Sequence, residues 1–114
     1  MAKRVVGGII QHRQYGNLEA IVLEGTELWH WWKAPNTGWQ HGTRVTANAS
    51  DPGSLIQNNR NENFDVLVRE GASLVHYTQD TKNPALGWRR EETVTNVAMG
   101  GVCLIERRIN NWRR

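Results

Sequence analysis

The stretch GSLIQNNRNENFDVLVREGASLVHYTQDTKNPALGWRREETVT, residues 53–95, is written twice in this chain. Its other copy, residues 7–46, reads GGIIQHRQYGNLEAIVLEGTELWHWWKAPNTGWQHGTRVT. The two align at an offset of 46 residues as far as His30 and His76. The offset becomes 49 at Trp39 and Trp88, because the loop TQDTKNPALG carries three additional residues. A third copy begins at GGVCLIERR and stops. A period of this length marks a repeat architecture, in which one unit cannot bury its own apolar face and must stack on neighbours. The chain divides into a first repeat over residues 4–50, a second over 51–97 and a partial third over 98–114.

Each repeat reads as four short strands separated by turn residues. In the second copy these are SLIQ, FDVLVRE, SLVHYTQ and WRREETVT; in the first, GGIIQ, LEAIVLE, ELWHWW and WQHGTRVT. Val, Ile, Thr, Tyr and Trp fill the runs, while Gly, Pro, Asn and Asp collect between them. FDVLVRE alternates, with Phe64, Val66 and Val68 on one face and Asp65, Leu67 and Arg69 on the other. Glu24-Gly25 and Glu70-Gly71 are expected to make tight turns and nothing more. No stretch carries a 3.6-residue period. Four antiparallel strands in about 46 residues, repeated, is the arithmetic of a β-propeller blade. β-Trefoils and β-prisms fit less well, because the internal unit is a complete four-stranded meander. The expected fold is all-β: two propeller blades and one extra strand.

Two blades cannot close a ring, since propellers use about four to eight. Left alone they expose two apolar faces and two sheet edges. Identical chains are therefore expected to close one ring, three chains giving six blades or four giving eight, through a head-to-tail interface. The partial third repeat is expected to act as a latching strand, pairing with the neighbouring chain or replacing its first strand; fraying is the other outcome.

Composition narrows the function classes. The 114 residues include 14 Lys and Arg against 11 Asp and Glu, a net charge of +3, and six tryptophans. Such a chain is too rich in aromatics for a disordered segment. Its arginines are scattered rather than gathered in the stripe that nucleic-acid binding favours, so nucleic acid is not the expected partner. Cys103 is the only cysteine, which rules out an intrachain disulfide. It sits in the apolar run VCLI and reads as a buried, inert thiol, so neither thiol catalysis nor a metal cluster is supported and no cofactor is expected. MAKRVVGGII has too short an apolar run for a secretory signal, and no stretch is long enough to span a membrane. The expectation is a soluble protein made without export.

The second repeat also carries a specific pattern: Asn63, Phe64, Val66, Val68, Glu70, Gly71, Leu74, His76 and Tyr77, then Pro84 in a loop and Trp88. The first copy matches it more loosely, with Asn17, Leu18, Ala20, Val22, Glu24, Gly25, Leu28, His30, Trp31, Pro35 and Trp39. This pattern resembles the blade repeat of the bacterial seven-bladed propeller lectins typified by the fucose-binding lectin of Photorhabdus. The resemblance implies carbohydrate binding between adjacent blades, with glycans as partners. It departs from that family in one respect: seven blades are not a multiple of two, so this chain needs another blade number. The alternative is a self-assembling propeller scaffold, engineered or derived from a fragment, that binds no ligand.

The residues suit a sugar site. Tryptophan and tyrosine offer rigid apolar area with a polar handle, and His, Asn, Gln, Arg and Glu supply directional hydrogen bonds. The platforms expected at each interface are Trp31 with Tyr77 and Trp39 with Trp88; His30, His76 and Arg89 are their polar partners. Trp39 and Trp88 have a second role open to them, as packing between blades, and His30 and His76 as satisfied structural histidines. Gln11 and Gln57 either line a channel or touch ligand. Alternation in ELWHWW places Leu28, His30 and Trp32 opposite Trp29 and Trp31, with the Leu28 face as core because Leu74 repeats it. Trp32 has Thr78 as its counterpart and so falls outside a repeated site. Enzymatic activity is not expected: glycoside cleavage needs two positioned carboxyl groups, and the recurring acids are Glu24 and Glu70, one per unit.

Overall fold

The computed structural model describes residues 4–96. They form two four-stranded antiparallel sheets, each a meander in simple chain order. The first contains β1 (Arg4–Gln11), β2 (Leu18–Glu24), β3 (Glu27–Lys33) and β4 (Gln40–Thr46). The second contains β5 (Ser54–Gln57), β6 (Phe64–Glu70), β7 (Ser73–Gln79) and β8 (Trp88–Thr95). One turn of 3-10 helix, Pro84–Leu86, is the only helix among the described residues, and no helix there is long and apolar enough to cross a membrane. The partial third repeat, its proposed latching role and Cys103 lie outside the described residues.

The strands fall where alternation and turn residues place them. β1 starts three residues earlier than the run GGIIQ, at Arg4, and Trp39 precedes β4 rather than opening it. Gly25 and Gly71 hold positive φ, 69° and 63°, in the β2–β3 and β6–β7 turns. The glutamates before them do more than turn. Glu24 Oε2 accepts the Trp31 indole N–H at 2.9 Å and meets His41 at 3.2 Å. Glu70 Oε2 accepts the Tyr77 hydroxyl at 2.5 Å and the Thr46 hydroxyl at 2.8 Å. These acids tie the second strand of each sheet to the ring in its third, and Glu70 also ties one sheet to the other.

The two sheets stack face to face, but with different faces. Call the front of each sheet the side bearing Ala20, Val22, Trp29 and Trp31, or their equivalents Val66, Val68, Val75 and Tyr77. The back bears Glu19, Ile21, Leu28 and His30, or Asp65, Leu67, Leu74 and His76. The core joins the back of sheet one (Ile21, Leu28, Val45) to the front of sheet two (Leu55, Phe64, Val66, Val68, Val75, Tyr77). Leu28 is fully buried, as expected, but Leu74 is not, and Tyr77 is buried in its place. The reason is geometric. Stacked repeats present opposite faces to their shared junction, so equivalent residues cannot both lie in it.

β1 runs hard against the segment that leads into β5. Gly7 occupies an irregularity in the β1–β2 ladder, between Val6 and Gly8. A Cβ there would lie 2.0 Å from the Pro52 carbonyl oxygen. Asp51 secures the same segment by accepting the backbone N–H groups of Gly53 and Arg69, both at 3.1 Å.

Candidate binding cleft

A cleft of about 290 Å³ opens where the two sheets meet at their β1–β2 and β7–β8 loops. From the back of sheet one it takes Glu19, His30 and Trp32; from the β1–β2 loop, His12, Tyr15 and Asn17. Sheet two supplies Phe64 and Gln79, and the loop after β7 adds Thr81 and Pro84.

Its polar centre is the Glu19–His30 pair. Glu19 Oε1 and His30 Nε2 are 2.7 Å apart, and the two residues are only 3% and 7% exposed. β2 and β3 position them: Glu19 pairs with Trp32 and His30 with Ile21 across the ladder, so all four share the back face. Burial makes the contact mutually necessary, since either group alone would lose water without a replacement partner.

The walls are aromatic. His12 stacks on Tyr15 with centroids 4.6 Å apart and meets Phe64 edge-on at 5.7 Å. His12 Nδ1 accepts the backbone N–H of Gln14 at 3.1 Å, which fixes the ring inside its loop. Phe64 in turn lies 5.4 Å from His30 and stacks on Trp88 at 6.4 Å. Trp88 bridges the sheets by donating its indole N–H to Thr43 Oγ1 at 3.1 Å. Tyr15 is 66% exposed and forms the rim, while the buried Glu19, His30 and Phe64 form the floor. The arrangement offers ring faces for C–H groups beside a carboxylate–imidazole pair that can exchange hydrogen bonds with hydroxyls.

The seven residues expected to make the site are not gathered in one place. His30 lines the cleft, and Trp88 supports it from behind, 5.8 Å from His30. Tyr77 is buried between the sheets on Glu70, so it is no open platform; burial and the Glu70 carboxylate both push its hydroxyl above the ordinary tyrosine value. Trp31 and Trp39 lie on the opposite face of sheet one, in a separate apolar groove of about 290 Å³ with Val6, Ile9, Ala20 and Val22. His76 lies on the outer face of sheet two, held by Asp65 at 2.8 Å and Glu92 at 3.2 Å. Burial opposes its charged form, but the two carboxylates outweigh burial and raise its pKa above the ordinary histidine value. Arg89 is exposed on β8 and paired with Glu91, away from the cleft. Gln57 touches the junction instead of an open channel, taking the Arg13 backbone N–H at 2.9 Å and giving a bond to the Glu62 carbonyl at 2.8 Å.

Trp32, Tyr15, His12, Glu19 and Phe64 also line the cleft; repetition argues against Trp32, and the other four are not among the expected site residues. The signal that finds Trp32 is parity: it shares the His30 face. Among the described residues no group of three His, Cys, Asp or Glu is placed to hold a metal ion. Comparison with protein-family models, with curated proteins and with solved structures gives no match.

Proposed function

We propose that this chain is a carbohydrate-binding propeller module whose primary site is the cleft between its two repeats. The observation that carries the reading is the buried Glu19–His30 pair set among Trp32, Tyr15 and Phe64 in a space of about 290 Å³. That volume is at the lower end of small-molecule sites, roughly 300 Å³ upward, and suits a single sugar ring. The lectin-like blade pattern points to fucose-type monosaccharides as the first ligands to offer. Glu19 is the one carboxylate among the described lining residues, which favours binding over the two-carboxylate chemistry of glycoside cleavage. Single sugar sites are weak, and several copies on a closed homotrimeric or homotetrameric ring raise avidity through effective concentration.

Titration calorimetry with L-fucose and a panel of other monosaccharides tests this. Trp32→Ala is expected to weaken binding at least tenfold, and Trp31→Ala, on the far face, to leave the cleft affinity unchanged. Absence of heat with every sugar, or equal loss in both variants, would sink the reading. A scaffold that assembles without ligand is the second reading, favoured by the apolar groove on sheet one, where Val6, Ile9 and Trp39 are 62%, 56% and 42% exposed.

A further inference from the structure

The internal junction shows what the two outer faces of the chain are shaped to meet. It joins the back of repeat one to the front of repeat two. Among the described residues, the faces left open are the front of repeat one and the back of repeat two, which are the repeat equivalents of the two joined surfaces. Their chemistry follows the same plan. On the joined back face, Ile21, Val45 and Ile10 pack on repeat two; on the open back face, Leu67, Val94 and Ile56 line a depression of about 340 Å³. On the joined front face, Leu55, Val66, Val68 and Trp88 are covered; on the open one, Ile9, Ala20, Val22 and Trp39 line the apolar groove. Val94 is 52% exposed where its equivalent Val45 is 6% exposed. Ile9 is 56% exposed where Leu55 is 4% exposed.

The polar part repeats as well. Asp65 and His76, 2.8 Å apart on the open back face, reproduce Glu19 and His30, 2.7 Å apart in the cleft. Asn58 lies beside them in the position that His12 holds in the cleft. Among the described residues, Asp65 and His76 have no opposite wall of the kind that Phe64 and Gln79, backed by Trp88, give the cleft.

We infer that the front of repeat one docks on the back of repeat two of a second copy, reproducing the internal junction, and that this contact completes a second sugar pocket around Asp65 and His76. The missing wall is then Leu18, Lys33 and Trp39 of the second copy, the equivalents of Phe64, Gln79 and Trp88. The second pocket differs from the first: Asn58 and Thr78 stand where His12 and Trp32 stand, and Lys33 takes the place of Gln79 opposite the Asp65–His76 pair. It is the more polar and more charged of the two. The contact is head to tail, so an open assembly keeps one free front and one free back until a ring closes. The second pocket rests on the sugar-binding reading; the docking does not.

Two blocked variants separate these. Val94→Glu spoils the open back and Trp39→Glu the open front, and circular dichroism checks that each folds. Sedimentation at micromolar concentration is expected to show a closed oligomer for the unmodified chain and a single chain for each variant alone. Mixing the variants leaves one good front and one good back, and a two-chain species is expected. A single-chain mass for the unmodified protein overturns the docking, as does a mixture that stays monomeric or one variant that still assembles by itself. Sugar sites are then counted by calorimetry with L-fucose. Two per chain in the oligomer and one per chain in Val94→Glu supports the second pocket. One per chain in both overturns it while leaving the docking intact. An oligomer that binds no sugar overturns the second pocket together with the proposed function, again leaving the docking intact. A monomer that binds one sugar overturns the docking and spares that function.

Discussion

Gly7→Ala is the sharpest single test of the stacking. The added methyl would sit 2.0 Å from the Pro52 carbonyl oxygen, 2.7 Å from its carbon and 2.9 Å from the Gly53 oxygen. Ordinary contact begins at 3.4 Å, and all three neighbours are backbone, so no side chain can swing aside. Relief requires β1 to back away from the segment entering β5, opening the junction there. Overpacking costs about 1–3 kcal/mol, and a clash with backbone atoms of the Pro52–Gly53 segment belongs at the upper end, about 3 kcal/mol. With a urea m-value of about 1.5 kcal/mol/M, the unfolding midpoint falls by about 2 M. Gly8 is the control. A Cβ there meets nothing closer than the Leu55 nitrogen at 4.0 Å. Gly8→Ala is therefore expected to be neutral, or to stabilise by about 0.4–1 kcal/mol by restricting the unfolded chain. Both are measured at one protein concentration, because association shifts apparent stability. If Gly7→Ala unfolds within about 0.5 kcal/mol of the unmodified chain, a margin typical of changes that touch nothing, the close approach of β1 to Pro52 is not made and the stacking geometry is wrong.

Phe64→Ala removes the 3%-exposed ring that touches His12, His30 and Trp88, and is expected to cost about 3–5 kcal/mol in urea unfolding. Tyr77→Phe deletes the hydroxyl bound to Glu70 while Thr46 remains, with an expected loss of about 1–2 kcal/mol. In the unmodified chain, ultraviolet titration is expected to show Tyr77 ionising above the ordinary tyrosine range, and stability falling as pH rises from that range through the raised value. His76, with its pKa raised by Asp65 and Glu92 against the effect of burial, contributes stability that is fully present below about pH 6.5 and lost as pH rises through its folded value. His76→Gln is expected to flatten that window; solvent access keeps the effect small, and proton NMR of the imidazole reads the pKa directly.

Alternation of FDVLVRE and the turn glycines after Glu24 and Glu70 were enough to place all eight strands within a few residues. Local patterning controls where a strand begins and which residues share a side. It does not say which side is inside. In IVLE, residues 21–24, both faces are apolar, and the repeat itself misleads, because Leu28 and Leu74 are equivalent yet only Leu28 is buried. Of the residues lining the candidate cleft, the repeat pattern singled out His30 alone as a site residue. Trp32 was set aside because Thr78 replaces it, and Trp31 was preferred because Tyr77 matches it. Matching residues keep the fold's internal bonds, here to Glu24 and Glu70, whereas a cleft is made where two different faces meet and need not repeat.

Comparing the repeats pair by pair separates these two demands. The carboxylate-to-ring contacts persist while their residues change: Glu19–His30 becomes Asp65–His76, and Glu24–Trp31 becomes Glu70–Tyr77. Even the turn before β2 persists, with Gly16 at φ 72° matched by Glu62 at φ 68°, although a glutamate bears strain there that a glycine does not. Aromatic lining does not persist, since His12, Tyr15 and Trp32 have Asn58, Asn61 and Thr78 as counterparts. The unit is thus held constant as a building block and varied as a surface. If junctions within and between chains share one geometry, their pockets alternate in character around the assembly. Identical clefts then recur once per chain rather than once per repeat, and if each takes a weakly held sugar as proposed, avidity scales with the number of chains.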